Sequence, residues 1–174
     1  DQGEIVVQKK INIPKYCVNL SDCYEYLRPI EVEFFNSFIK KLKKGNIKKI
    51  KQNNQFSFYW PKLVTAKNGY IDWSWKAKDI VSFSNAFDSP FQGVSTFLKK
   101  NKVFLTKAKL VDKNKKFHPF QSGLVYRKNK NKICVATYSG GVSFNYLTRS
   151  KINIKTGDRL HTDIKSLFLS RGLE

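Results

Sequence analysis

Apolar and polar residues alternate at the start of the chain. Over Glu4–Ile13, Ile5, Val7, Lys9 and Ile11 fall on one side and Val6, Gln8 and Lys10 on the other. That period of two predicts a strand, closed by Pro14. The period then lengthens. Leu20, Cys23, Tyr24 and Leu27, followed by Val32, Phe35, Phe38, Ile39 and Leu42, mark a helical stripe. Asn19 suits its N-cap, with Asp22 three residues on. Pro29 should kink or restart this helix, and Gly45-Asn46 should stop it. Residues 52–68 show no period and read as an irregular connection carrying Phe56, Phe58, Tyr59, Trp60 and Pro61.

A second helical stripe, Ala77, Ile80, Val81, Ser84 and Phe87, predicts a helix over 76–87 with Ser74 as its cap. Asp88-Ser89-Pro90 ends it. From Val94 onward the alternation is again that of strands: 94–98, 103–111, 123–127, 133–138 and 142–147. Asp112–Lys116, Lys128–Lys132, Ser139-Gly140-Gly141 and Thr156-Gly157-Asp158-Arg159 read as turns, and 162–171 as a final short helix. Five short strands at this spacing suggest a small OB-like barrel. The fold class is therefore α+β.

Length and composition narrow this picture. The chain has 174 residues, 41% of them hydrophobic, enough for one domain or two small ones with a real core. No apolar run is long enough to cross a bilayer, and there is no signal-peptide pattern. The reading is of a soluble, cytoplasmic protein. The chain starts at Asp1 and contains no Met, which reads as a piece of a longer translation product.

Charge changes the picture more. Lys and Arg number 33 against 13 Asp and Glu, a formal charge of +20. A polyanion such as RNA would suit it, and so would a Lys/Asn-rich proteome, because the excess is mostly Lys spread along the chain. Lys40, Lys41, Lys43, Lys44, Lys48, Lys49 and Lys51 cluster at the first helix's end. They either complement its dipole or form a phosphate-binding patch. Cys17, Cys23 and Cys134 lack metal-ligand spacing, and His118 and His161 add none, so no metal site is expected.

The order of elements carries one further signal. Ile71-Asp72-Trp73, a helix, Ala86-Phe87-Asp88-Ser89-Pro90-Phe91-Gln92-Gly93 and the strand Ser95-Thr96-Phe97-Leu98 resemble the junction of the folate-dependent formyltransferases. There it joins the catalytic domain to a small C-terminal barrel. The resemblance covers nearly the whole chain. It implies that residues 1–51 are the C-terminal part of the catalytic domain, 52–68 a linker and 69–174 the barrel. Trp60-Pro61-Lys62 matches an aromatic-Pro-Lys element of the family's linker.

Formyl transfer to an amine is acyl transfer through a tetrahedral oxyanion. It needs donors aimed at that oxygen, a group to take the amine's proton, and aligned substrates. The family uses an Asn-x-His pair and a later Asp in an Asp-x-Gly-(acidic)-Ile pattern before a strand. Asp1-Gln2-Gly3-Glu4-Ile5 matches that pattern, so the resemblance implies Asp1 as the catalytic carboxylate that orients and tunes the histidine and relays a proton. Asn-x-His, the Leu-Leu-Pro loop and the folate-binding strands are absent from these 174 residues. The resemblance implies that they precede Asp1, together with the site for the 10-formyltetrahydrofolate cofactor, and that this chain alone is inactive.

Lys48, Lys49, Lys51, Lys62, Arg127 and His118 are the candidate substrate-binding residues. Family acceptors are methionyl-tRNA or nucleotide-linked amino sugars. The charge favours tRNA. The wording of the junction, His118-Pro119-Phe120-Gln121-Ser122-Gly123 and Thr156-Gly157-Asp158-Arg159 favour the sugar branch. Two readings from other classes remain: a stand-alone basic nucleic-acid-binding barrel, and a barrel serving as a homodimer interface.

Overall fold

The structure, a computed structural model, describes residues 3–45, 47–53, 55, 57–148 and 152–172. The chain divides into two compact units, Asp1–Lys62 and Leu63–Glu174.

In the first unit one helix dominates, α1 (Leu20–Lys43). Its capping box forms as the spacing predicts. The Asn19 side chain accepts the Asp22 N–H at 3.0 Å, and Asp22 Oδ2 accepts the N–H groups of Val18 and Asn19 at 2.8 and 3.2 Å. Pro29 lies inside the helix without restarting it. It is exposed, as is Glu25 one turn earlier, so water can solvate the carbonyl that Pro29 leaves without a donor. The helix ends at Lys43, ahead of Gly45.

The strand expected over 4–13 does not form. Only Ile5 pairs, with Ile50, through two 2.9 Å bonds. Alternation makes a segment competent for a sheet, but a ladder needs a neighbour, and among the described residues Ile50 alone provides one. None of this unit's described residues is buried, and Tyr24, Val32, Phe35 and Leu42 leave a second apolar stripe of α1 open.

The second unit holds the core. After α2 (Thr65–Asn68) comes α3 (Ala77–Ala86), whose Ala77, Ile80 and Ser84 are buried as the periodicity predicts. The predicted cap does not operate: Ser74 donates to Asp72 at 2.5 Å, and the Ala77 N–H is accepted at 2.8 Å by Ser139 of the distant hairpin.

Six strands follow: β1 (Val94–Leu98), β2 (Asn101–Val111), β3 (Val125–Asn129), β4 (Lys132–Thr137), β5 (Gly140–Thr148) and β6 (Leu160–His161). A 3₁₀ turn, Pro119–Gln121, precedes β3, and α4 (Ile164–Arg171) closes the chain. The sheet is antiparallel in the order β3-β4-β5-β2-β1-β6. One strand more is present than expected, because two-residue β6 is too short to show a period.

The sheet curls until its edges meet. The Leu160 N–H donates to the Gly123 carbonyl, Val125 to Asp158 and Gly157 to Val125, each at 2.8 Å. This seam turns an open sheet into the OB-like half-barrel, and curling leaves few strand edges unpaired. Inside lie Val94, Val103, Leu105, Val125, Ile133, Val135, Val142, Phe144 and Leu160, all 1% exposed or less. The α3 helix covers one side by packing on β2 and β5. Trp73 meets Phe144 edge to face at 6.1 Å, and its indole N–H donates to Thr96 at 2.9 Å.

The turn after α3 is pinned by a buried carboxylate. Asp88 accepts the Ser89 N–H at 2.8 Å and the Lys107 N–H at 2.6 Å. Lys107 sits in the β2 bulge with a φ of 53°. The Ala-Phe-Asp-Ser-Pro wording is thus a staple between the helix exit and the barrel wall.

Candidate functional site

Asp1, the implied catalytic carboxylate, lies outside the described residues. In the first unit, Lys49 reaches Glu4 at 3.7 Å, an exposed pair of little energetic weight. Lys48 lines an open hollow of about 540 Å³ with Lys41, Val6, Val7, Phe38 and Ile50. Lys51 and Lys62 are exposed.

In the second unit, His118 serves a local purpose. Its Nδ1 accepts the Phe120 N–H at 3.2 Å while its backbone N–H donates to the Gln121 side chain at 2.9 Å, so it caps the 3₁₀ turn. Arg127 approaches Asp112 at 3.5 Å and lies over the Tyr126 ring. Neither lines the cleft described next.

That cleft, about 320 Å³, opens at one end of the barrel. Its walls come from segments far apart in sequence: Asp72–Ser74, Pro119 and Ser122, Tyr138, Arg159–Thr162, and Leu167 of α4. Trp73 and Leu160 are its buried members. Arg159 ties it together, with Nη1 donating to the carbonyls of Phe120 and Ser122. The two sequence motifs, His118–Gly123 and Thr156–Arg159, are therefore one structural unit. Asp72 is neutralised by Arg171 at 2.6 Å and accepts two bonds from Ser74.

Sequence reasoning did not select these cleft residues. The signal available was Arg159 itself, a rare Arg in a Lys-rich chain and the last residue of a turn.

A second polar cluster sits where β2 ends. Tyr126 donates a short hydrogen bond to Asp112, and Gly141 leaves space for its hydroxyl. Burial first, then the bond and charge of Asp112, hold this hydroxyl protonated well above the usual tyrosine range. A folded-state pKa raised above the unfolded value of about 10 gives stability that is full below pH 10. It is lost as pH rises toward the folded value. Tyr126→Phe should melt lower than wild type at pH 8, with the gap narrowing by pH 11. Thermal melts at both pH values check this, and a constant gap would contradict the assignment.

The family profile described as "Formyl transferase, C-terminal domain" matches residues 63–160, more than half of the chain. The bifunctional polymyxin resistance protein ArnA of Wigglesworthia glossinidia brevipalpis is 28% identical over 110 residues, 63% of this chain but 16% of its own length. A variant of HypX from Aquifex aeolicus superposes with a TM-score of 0.64 at 20% identity, over 90% of this chain and 28% of that one. HypX in complex with tetrahydrofolic acid gives 0.59 at 20% identity, over 83% and 25%. The chain thus spans about a sixth of ArnA and a quarter of HypX. Profile and fold agree with the motif order, and the chain belongs to the formyl transferase C-terminal domain family.

Proposed function

We propose that this chain is the C-terminal part of a 10-formyltetrahydrofolate-dependent formyltransferase that acts on a primary amine, with a nucleotide-linked amino sugar as acceptor. The observation that carries the reading is the family match over 63–160, preceded by a unit none of whose described residues is buried. A segment of that size with an open apolar stripe needs another body to pack against. The remainder of a catalytic domain supplies one. On this reading residues 1–51 complete that domain, 52–68 connect and 69–174 form the barrel. The enzyme works in the cytoplasm, and a homodimer through the barrel is compatible with it.

Folate does not fit the hollow of the first unit. The 540 Å³ hollow is lined by Val6, Val7, Phe38, Lys41, Gly45, Ile47, Lys48 and Ile50, with no carboxylate or amide side chain to pair with a pterin's donors. This supports the reading that the cofactor is bound by sequence outside these 174 residues and that the chain alone is inactive. ArnA, a polymyxin resistance protein, and HypX, seen with tetrahydrofolic acid, support the class of chemistry.

Methionyl-tRNA as acceptor, or a stand-alone nucleic-acid-binding barrel, is favoured by the charge of +20 and by a cation–aromatic cluster on the sheet's outer face. There Tyr70 stacks on Phe97 at 6.0 Å and Lys102 Nζ lies 4.5 Å from the Tyr70 centroid. With Phe97 and Lys102 both on it, the Tyr70 ring offers little face for an incoming base.

The test is to read the gene upstream of codon 1 and assay its whole product with 10-formyltetrahydrofolate. Formylation of a nucleotide-linked amino sugar is expected, with no turnover of methionyl-tRNA. Turnover of the tRNA alone would replace the acceptor. A start codon just before codon 1, with no Asn-x-His encoded, would remove the enzyme reading. An affinity for RNA that falls by about 0.7–0.9 log units per log unit of salt for each phosphate held would then identify a binding module.

A further inference from the structure

The barrel-end cleft holds more hydrogen-bond donors than the fold uses. Arg159 spends only Nη1 on the carbonyls of Phe120 and Ser122. Among the described residues, the Tyr138 hydroxyl, the Ser122 hydroxyl and the His161 imidazole nitrogens take part in no hydrogen bond; the His161 ring lies beside Phe97 at 6.2 Å. The Thr162 hydroxyl is spent on the Ile71 carbonyl. The one carboxylate in the wall, Asp72, is already paired with Arg171 and bonded by Ser74. What remains is a set of donors around one guanidinium; Asp72 is cancelled by Arg171, and Asp163, near His161, has its oxygens taken by the N–H and hydroxyl of Ser166. The cleft volume is near the lower end of the ~300–1,000 Å³ usual for small-ligand sites.

We propose that this cleft binds a phosphate group, gripped by Arg159 with Tyr138, Ser122 and His161 as further donors. Arg suits the task because its fork presents several N–H groups to one oxyanion, and donors to an ionised oxygen form the stronger hydrogen bonds. The fold holds the guanidinium in place through the two carbonyls, so its orientation is set before the ligand arrives. Arg171 has a positioning role, keeping Asp72 from repelling the anion. The phosphate could belong to the diphosphate of a nucleotide-linked sugar or to an RNA backbone. The proposal does not rest on the formyl-transfer reading, since it concerns binding by this chain alone.

The experiment titrates the 174-residue chain with inorganic phosphate and follows backbone amide shifts. Saturable shifts at residues 72–74, 122, 138 and 159–162 are expected. Tyr138→Phe with Ser122→Ala removes two hydroxyls that hold nothing in the fold. It should weaken phosphate about tenfold or more at an unchanged melting temperature. Arg159→Gln should abolish binding. Because Arg159 also ties the 3₁₀ turn, the double variant decides the matter if Arg159→Gln fails to fold. Two larger probes then assign the source. Uridine diphosphate glucose binding tighter than phosphate, with a shallow salt dependence, identifies a nucleotide-linked sugar. A 5′-phosphorylated RNA hexamer binding tighter still, with a steep one, identifies RNA. Shifts confined to the lysine-rich segment 40–51, shifts that do not saturate, or an unchanged Kd in the double variant overturn the proposal.

Discussion

Gly123→Ala will open the barrel. This glycine has a φ of +80°, and a Cβ there would stand 2.2 Å from the Leu160 carbonyl oxygen. That carbonyl belongs to the backbone of β6, so it cannot swing aside like a side-chain tip. The same residue accepts the seam bond from Leu160 at 2.8 Å and donates to Ala136 of β4 at 2.9 Å. The substitution combines left-handed backbone strain with the loss of the buried Gly123–Leu160 seam bond. The expected cost is about 3 kcal/mol or more, which lowers the melting temperature of the second unit by roughly 10 °C or more. Gly157→Ala is the control. Its φ is +94°, yet a Cβ would meet nothing within 4 Å, so it should cost only the backbone term, about 1 kcal/mol. Circular dichroism melts of the two variants separate strain from contact. Equal losses would mean that the seam does not hold the barrel closed.

That seam also marks the limit of what local pattern can reveal. β1 and β4 are buried at all but one position and were legible as short apolar runs between turns; β2 buries Val103 and Leu105 between less buried residues, so there alternation and burial coincide. The α3 stripe was legible for the same reason at helical period. Residues 4–13 alternate as cleanly and form no strand, since period states competence and says nothing of the partner. Ser74 is a good cap by type, but the acceptor for Ala77 comes from Ser139, 62 positions on. The closure of Gly123–Val125 on Gly157–Leu160 likewise joins stretches that share no local signal.

The candidate site divides along the same line. His118 and Arg127 stood out by residue type, and the structure gives each a local partner: Gln121 and Phe120 for the one, Asp112 for the other. The cleft is made instead by residues whose chemistry is ordinary until the fold gathers them. Asp72, Ser122, Tyr138, Arg159 and His161 come from separate turns and strand ends. The two motifs whose wording favoured the sugar branch, His118–Gly123 and Thr156–Arg159, prove to be bonded to each other through Arg159.

On the proposed formyl-transfer reading, with Asp1 as the carboxylate that orients the histidine, Asp1→Asn in the complete protein should lower kcat by about 10² to 10⁴. Asn keeps the shape of the side chain and one acceptor oxygen, but it cannot carry the negative charge that steadies an imidazolium as the attacking amine gives up its proton. It can also turn a donor toward the histidine and hold the wrong tautomer. Both defects act on the step in which the tetrahedral centre forms, so kcat should fall while KM for either substrate changes little. The variant should melt with wild type, because the loss is one of proton handling and not of packing. It should also show a shifted acid limb in the pH dependence of kcat/KM, and Asp1→Glu should recover part of the rate. A merely structural turn at Asp1-Gln2-Gly3-Glu4 would give the opposite signature, a lower melting temperature with kcat nearly intact. A rate within threefold of wild type would take the proton-handling role away from Asp1.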